Sequence, residues 1–167
     1  SISETEKYYV ERINVLGNSF TLEEVIRHNF IVDEGDPYNE ILFNKSLNRI
    51  KGRNIFASVT SEIKEGSNPG LKVIDIRVEE KPTGEISLGA GLGTSGGTIG
   101  GGVKENNFLG KGISLNTNLT LSKNSVKGQF IYSKPNFKET DNTLFTSLKS
   151  TSTDNLTDYG YKTSNLG

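Results

Sequence analysis

The sequence predicts a small α+β module of β-α-α-β-β order, followed by an antiparallel β-meander. Three observations carry this. Composition changes near Lys81-Pro82-Thr83: before it lie 5 of the 19 glycines with 14 acidic and 11 basic residues, and after it the other 14 glycines with 6 acidic and 8 basic. Apolar residues at helical spacing occur only before that point. Alternation of period two dominates after it. The expected domains are therefore 1–82 and 83–167.

In the first half, Tyr9, Ile13 and Val15 suggest a strand closed by the turn pair Gly17-Asn18. Thr21-Leu-Glu-Glu24 reads as a capping box, in which hydroxyl and carboxylate each satisfy an orphan amide. Leu22, Val25, Ile26 and Phe30 follow as one apolar helical stripe. Asp36-Pro37 breaks the chain, and Asn39 can cap a second helix carrying Phe43, Leu47 and Ile50, which Gly52 ends. Two strands complete the module: Phe56 to Lys64, then Leu71 to Glu80, where Ile74, Ile76 and Val78 alternate with polar residues.

The second half alternates throughout. Ile86, Leu88, Ala90 and Leu92 take one face, while Ser87, Gly89, Gly91 and Gly93 take the other. Ile113 to Leu121 repeats the arrangement, with Asn116, Asn118 and Thr120 on the polar side. Val126, Gly128, Phe130 and Tyr132 continue it, Leu144 to Leu148 more faintly, and Tyr159 begins a further strand. Turn material separates the strands: Thr94-Ser95-Gly96-Gly97, Gly110-Lys111-Gly112, Lys123-Asn124-Ser125 and Lys138 to Asp141. Lys134-Pro135-Asn136 ends a strand, since proline cannot donate to the ladder.

Period two alone also fits a soluble sandwich or a closed ligand-binding barrel. About ten residues at ~3.3 Å rise and ~45° tilt span roughly 23 Å, close to the ~25 Å apolar band of an outer-membrane barrel. The polar face is small and uncharged, which suits a wet lumen better than a packed core. The net charge of −1 implies no nucleic-acid partner, and the absence of cysteine excludes thiolate chemistry and disulfides. No apolar run is long enough for a transmembrane helix, which leaves membrane β-strands open. The chain starts without Met and reads as a fragment cut at both ends.

Gly91-Leu-Gly93-Thr-Ser-Gly96 matches the dinucleotide-binding pattern G-x-G-x-x-G. That site needs a helix immediately after the loop, to set the pyrophosphate at its N-terminus. Gly97-Thr-Ile-Gly-Gly-Gly102 follows instead, among the poorest helix formers. The match is thus a by-product of alternating glycine in a strand. Each such glycine weakens its strand by roughly 0.5–1 kcal/mol relative to alanine. The start of the sheet should therefore be its least firmly paired part.

A β-α-α-β-β module running into "EEKPTGEISLGAGLGTSGG" and "GGGVKENNFLGKGISL" resembles the Omp85 superfamily. On that resemblance the first half corresponds to the POTRA domain adjoining the barrel, with "GDPYNEILFNKSLNRIKGRNIFASV" as its second helix and following strand. The second half corresponds to the first strands of a transmembrane β-barrel, with "NNFLGKG" as the turn between its second and third strands. The resemblance implies assembly and insertion of β-barrel proteins at the outer membrane, without a cofactor or catalytic residue. Its lateral gate is the first barrel strand, here Gly84, Glu85, Ile86, Ser87, Leu88, Gly89, Ala90, Gly91, Leu92 and Gly93. Implied partners are unfolded outer-membrane clients, accessory lipoproteins and outer-membrane lipid, with the POTRA module in the periplasm. Family partner contacts match Arg27 and Glu34, and the strand from Phe56 to Lys64 is a candidate edge for strand addition. Two-partner secretion transporters and translocation paralogs within the superfamily stay open as alternatives. So do a soluble β-rich binding module and a nucleotide-dependent enzyme.

The remaining chemistry is sparse. His28 is the only histidine and has no nucleophile beside it, so a surface position is expected. Asp33-Glu-Gly-Asp36 lacks the ligand spacing of a calcium loop. Asn118-Leu-Thr120 and Asn155-Leu-Thr157 match glycosylation sequons, the first inside a strand.

Overall fold

The protein's structure, a computed structural model, describes residues 7–93, 96–154 and 162–167. The chain forms two compact units: Ser1–Pro82 together with Leu109–Lys111, and Thr83–Phe108 together with Gly112–Gly167. The turn at 94–95, the second sequon and the expected strand start at Tyr159 lie outside the described residues.

The first unit contains β1 (Tyr9–Leu16), α1 (Glu23–Arg27), α2 (Glu40–Gly52), β2 (Phe56–Glu65) and β3 (Leu71–Glu80). Its sheet has the order β1-β3-β2, with β1 parallel to β3 and β2 antiparallel to it. A parallel neighbour requires a crossover, and the two helices supply it. Ile13, Ile26, Ile50, Ile74 and Ile76 form the centre of a continuous apolar core. Alternation in β3 survives intact: Ile74, Ile76 and Val78 face that core.

Tertiary contacts modify several local expectations. In β1 the register shifts between Val10 and Arg12, so Val10 and Ile13 both point inward. The extra residue turns Glu11 outward, where its carboxylate accepts the Ser67 amide at 2.6 Å. Gly17 has φ +91°, and a Cβ there would lie 2.1 Å from the Val78 carbonyl oxygen, so the turn needs glycine.

The capping box is not formed. Helix α1 starts after Leu22, which makes no side-chain cap, and Leu22 is exposed rather than part of the buried stripe. Thr21 is instead buried, and its amide and hydroxyl both go to Glu80 at the end of β3. Helix α2 does use Asn39, whose side chain accepts from the Leu42 amide at 3.0 Å. Gly52 remains inside that helix, and the left-handed residue that ends the turn is Asn54, φ 56°. The turn residues Leu109–Lys111 cluster with this unit, where the Gly110 carbonyl accepts the Leu22 amide at 2.8 Å.

The second unit is a six-stranded antiparallel sheet in chain order: β4 (Gly84–Gly93), β5 (Gly96–Phe108), β6 (Ile113–Ser122), β7 (Ser125–Lys134), β8 (Leu144–Asp154) and β9 (Lys162–Leu166). Among the described residues the sheet does not close on itself. Directly paired residues share a face. One face thus runs Leu88 to Gly101 to Leu119 to Gly128, and the other Gly89 to Gly100 to Thr120 to Lys127. The hairpin between β6 and β7 turns on two residues, since Ser122 pairs with Ser125. Strand β7 stops at Lys134, next to Pro135.

Candidate functional site

The ten candidate residues Gly84 to Gly93 form a single strand, β4, at one end of the sheet. Its inner edge pairs with β5 over the whole length, from Gly84 opposite Glu105 to Gly93 opposite Gly96. Among the described residues no strand pairs with its outer edge. No helix follows Gly96: β5 begins there, with Gly96 at φ +102°. The phosphate-loop geometry is therefore missing.

Glycine is concentrated in this pair. Strands β4 and β5 hold nine glycines, and β6, β7 and β8 together hold one. The two faces of the pair differ in how glycine is treated. On the apolar face Leu88 lies over Gly101, where an added Cβ would meet its Cδ2 at 3.0 Å, and Leu92 lies over Gly97 at 3.6 Å. On the polar face an added Cβ at Gly89 or Gly93 meets nothing within 4 Å. Above Gly89 and Gly91 is an open trough of about 620 Å³, rimmed by Ser87, Thr98, Asn118, Thr120 and Gln129.

The apolar face of β4 is bare. Leu88 is 87% and Leu92 95% exposed, and Ile86, Ile99 and Val103 are exposed beside them. A row of large aliphatic side chains without a protein neighbour is costly in water and stable in hydrocarbon.

Pairing is not uniform along the strand. At its start, Thr83 donates from its hydroxyl to the Glu105 carboxylate, which also accepts the Asn107 amide at 2.7 Å. Glu85 and Lys104, of opposite charge, stand across from each other. The buried Asn107 side chain then accepts the Gly112 amide at 2.8 Å, closing the turn within "NNFLGKG". Toward Gly93 such side-chain support thins, among the described residues, to two weak bonds at 3.4 Å, Ser87 hydroxyl to Gly102 carbonyl and Thr98 hydroxyl to Gly91 carbonyl. Side-chain bonds gather at the base of β4, and glycine gathers at its tip.

The structure brings Arg27 and Glu34 together, in the first unit, at the outer edge of β1. Glu34 Oε1 accepts the Ile13 amide at 2.9 Å, and Arg27 Nη2 donates to the Ile13 carbonyl at 2.9 Å. Arg27 also bonds Glu23 at 2.6 Å and lies 3.6 Å from Glu34. The spacing of the two residues in sequence gives no hint of this shared target. His28 is exposed, as its lack of partners suggested.

Glu80 is the functional-looking carboxylate that sequence reasoning passed over. Burial raises its pKa, but the Thr21 hydroxyl and the amides of Thr21, Phe20 and Ser19 outweigh that and leave it below the usual carboxylate value. In the Lys64–Asp75 pair, joined at 2.6 Å, the mutual bond raises the lysine and lowers the aspartate. Both groups are structural, on the sheet face away from the helices. Among the described residues no cluster of potential metal ligands occurs.

Residues 8–81 match the family model POTRA, "Surface antigen variable number repeat". The chain is 31% identical over 127 residues to a putative outer membrane protein assembly factor of Treponema pallidum, covering 72% of this chain and 15% of that protein. It is 34% identical over 107 residues to the outer membrane protein assembly factor BamA of Neorickettsia risticii, covering 64% of this chain and 14% of that one. The crystal structure of BamA from Haemophilus ducreyi lacking POTRA domains 1-3 superposes with a TM-score of 0.83 at 24% identity, over 95% of this chain and 31% of that one. The chain thus spans about 15% of the length of the curated relatives it matches.

Proposed function

The chain is of the Omp85 superfamily and similar to BamA, and on that premise we propose that it is the part of an outer-membrane assembly factor where a POTRA module, residues 1–82, leads into the first barrel strands, residues 83–167. The protein is at home in the bacterial outer membrane, with the POTRA module in the periplasm. Its work is the insertion of β-barrel proteins into that membrane, and β4 is the lateral gate. The observation that carries this reading is the end strand itself: ten residues, an outer edge unpaired among the described residues, an exposed aliphatic face and glycine along its polar face.

The physics of an exchange follows from those features. An open edge in hydrocarbon leaves amides unsatisfied at several kcal/mol each, so β4 needs a partner strand there at all times. Swapping the main-chain bonds of a closing strand for those of a client strand conserves their number. Each bond contributes only about 0.5–1.5 kcal/mol net, and like replaces like. The glycines keep the side-chain share of the pairing small. No nucleotide, metal or catalytic side chain enters this account, and an energy source is unnecessary when the exchange is near balance. Unfolded clients pair by strand addition, accessory lipoproteins meet the POTRA module around Arg27 and Glu34, and lipid covers the aliphatic face.

A tether tests the gate. In a full-length protein carrying this region, a disulfide between β4 and its closing strand should abolish client insertion into liposomes, and reduction should restore it. Normal insertion by the fully crosslinked protein would sink the reading.

A further inference from the structure

The outer edge of β1 is covered in two different ways. From Tyr8 to Val10 the inter-helix loop runs antiparallel alongside it: Tyr38 N–H donates to the Tyr8 carbonyl at 2.7 Å, Gly35 N–H to the Val10 carbonyl at 2.7 Å, and Val10 N–H to the Asp36 carbonyl at 2.9 Å. At Ile13 the loop has turned away, and side chains take over. Glu34 accepts from the Ile13 amide and Arg27 donates to the Ile13 carbonyl.

Those two bonds, one acceptor and one donor on the same residue, are what a residue of a facing antiparallel strand supplies. Arg27 and Glu34 therefore imitate a strand at one position. Their side chains are 39% and 43% exposed, and ion pairs that wet contribute little and are screened by salt. A main-chain cover of the kind found at Val10 cannot be withdrawn without moving the loop. A side-chain cover can be withdrawn by two rotamer changes.

We propose that Arg27 and Glu34 are a removable guard over the edge of β1, and that an extended segment of an unfolded polypeptide takes their place on Ile13. This deepens the proposed function and rests on the reading that the POTRA module meets unfolded clients. The guard does two jobs. In the resting protein it satisfies an edge that would otherwise pair with any passing chain. When a client strand arrives, the two bonds change hands at little net cost, as at β4.

The test uses the full-length protein in detergent, with a photocrosslinking residue at exposed Arg12 on β1 or at exposed Thr60 on β2. The probe is a short synthetic peptide of alternating valine and threonine. Removing the guard with R27A/E34A should raise crosslinking at position 12 severalfold and leave position 60 unchanged. E34Q keeps an acceptor for the Ile13 amide and should stay near the unmodified protein. Should the double variant fail to fold, raising salt on the unmodified protein gives the same reading, since it screens the charged guard on Ile13 and spares the main-chain cover at Val10, with position 60 reporting any wider loosening.

Unchanged yield at position 12 under both treatments overturns the proposal. So does an equal rise at both positions, which reports a loosened module. E34Q behaving like R27A/E34A would mean that charge alone matters, as for a plain protein contact, and overturns it too. Crosslinks at position 60 without any at position 12 defeat the guard only. Their absence at both positions in every variant removes the client reading of the module along with it.

Discussion

Ile74 and Ile76 in the first unit and Leu88 and Leu92 in the second come from the same kind of sequence, aliphatic residues alternating with polar or small ones. The isoleucines are fully buried; the leucines are almost fully exposed. Among the described residues, Ile113 is the one buried hydrophobic residue of the second unit. The difference teaches that alternation specifies a two-faced strand and says nothing of which solvent the apolar face meets. What separates the two is the opposite face. In β3 it carries Arg77 and Glu79, which stand in water, and Asp75, which is buried and bonded to Lys64 at 2.6 Å; the aliphatic side is left to the helices. In β4 it carries Glu85 at the base, opposite Lys104, and beyond that only serine and glycine, while the aliphatic side is left bare.

The largest effect expected from that contrast is in the core. Ile76→Ala should destabilise the first unit by about 2–5 kcal/mol, through lost transfer energy and the cavity left behind. Leu92→Ala should leave the same denaturant-unfolding transition unmoved. Comparable losses from both would erase the distinction between the units.

A smaller effect belongs to Glu80, which holds the entry to α1. Glu80→Gln removes a charged acceptor from the Phe20 and Thr21 amides and should cost about 1–2 kcal/mol. The sign of the pH dependence follows from the lowered folded pKa. The unfolded state then binds its proton first as pH falls, so the stabilisation is present above roughly pH 4 and is lost as pH drops through the folded value. Melting curves of the first unit should show that acid loss in the unmodified protein and a smaller one in the variant.

The smallest effect concerns β4. At Gly89→Ala the new methyl group meets nothing within 4 Å, and the strand should gain about 0.5–1 kcal/mol of pairing stability. Slower amide exchange along β4 would register the gain, and slower client insertion its consequence. Faster insertion would mean that loose pairing is not what the glycines provide.

Much of this architecture is legible in the sequence because its signals are local. Asn39 caps its helix through the amide three residues on, and Pro135 stops the strand beside it. The glycine-rich stretch is read correctly because the residues after Gly96 rule out a helix. What escapes sequence reading depends on distant partners. Thr21 looks like the head of a capping box, but Glu80, fifty-nine residues away, draws both its amide and its hydroxyl. The extra residue at Glu11 is invisible until β3 fixes the register of β1. Arg27 and Glu34 were legible as candidates only through resemblance, and their common grip on Ile13 emerges only when the inter-helix loop folds along the strand.

The leucines that lie over Gly101 and Gly97 matter for a reason beyond packing. Hydrocarbon tolerates no exposed backbone amide that lacks a partner. Where two glycine-rich strands meet, the glycines supply no side chain to cover the polar backbone. Leu88 and Leu92 roof that backbone with hydrocarbon on the apolar face. On the proposed reading, a seam can thereby be easy to unfasten and still be watertight while it is shut.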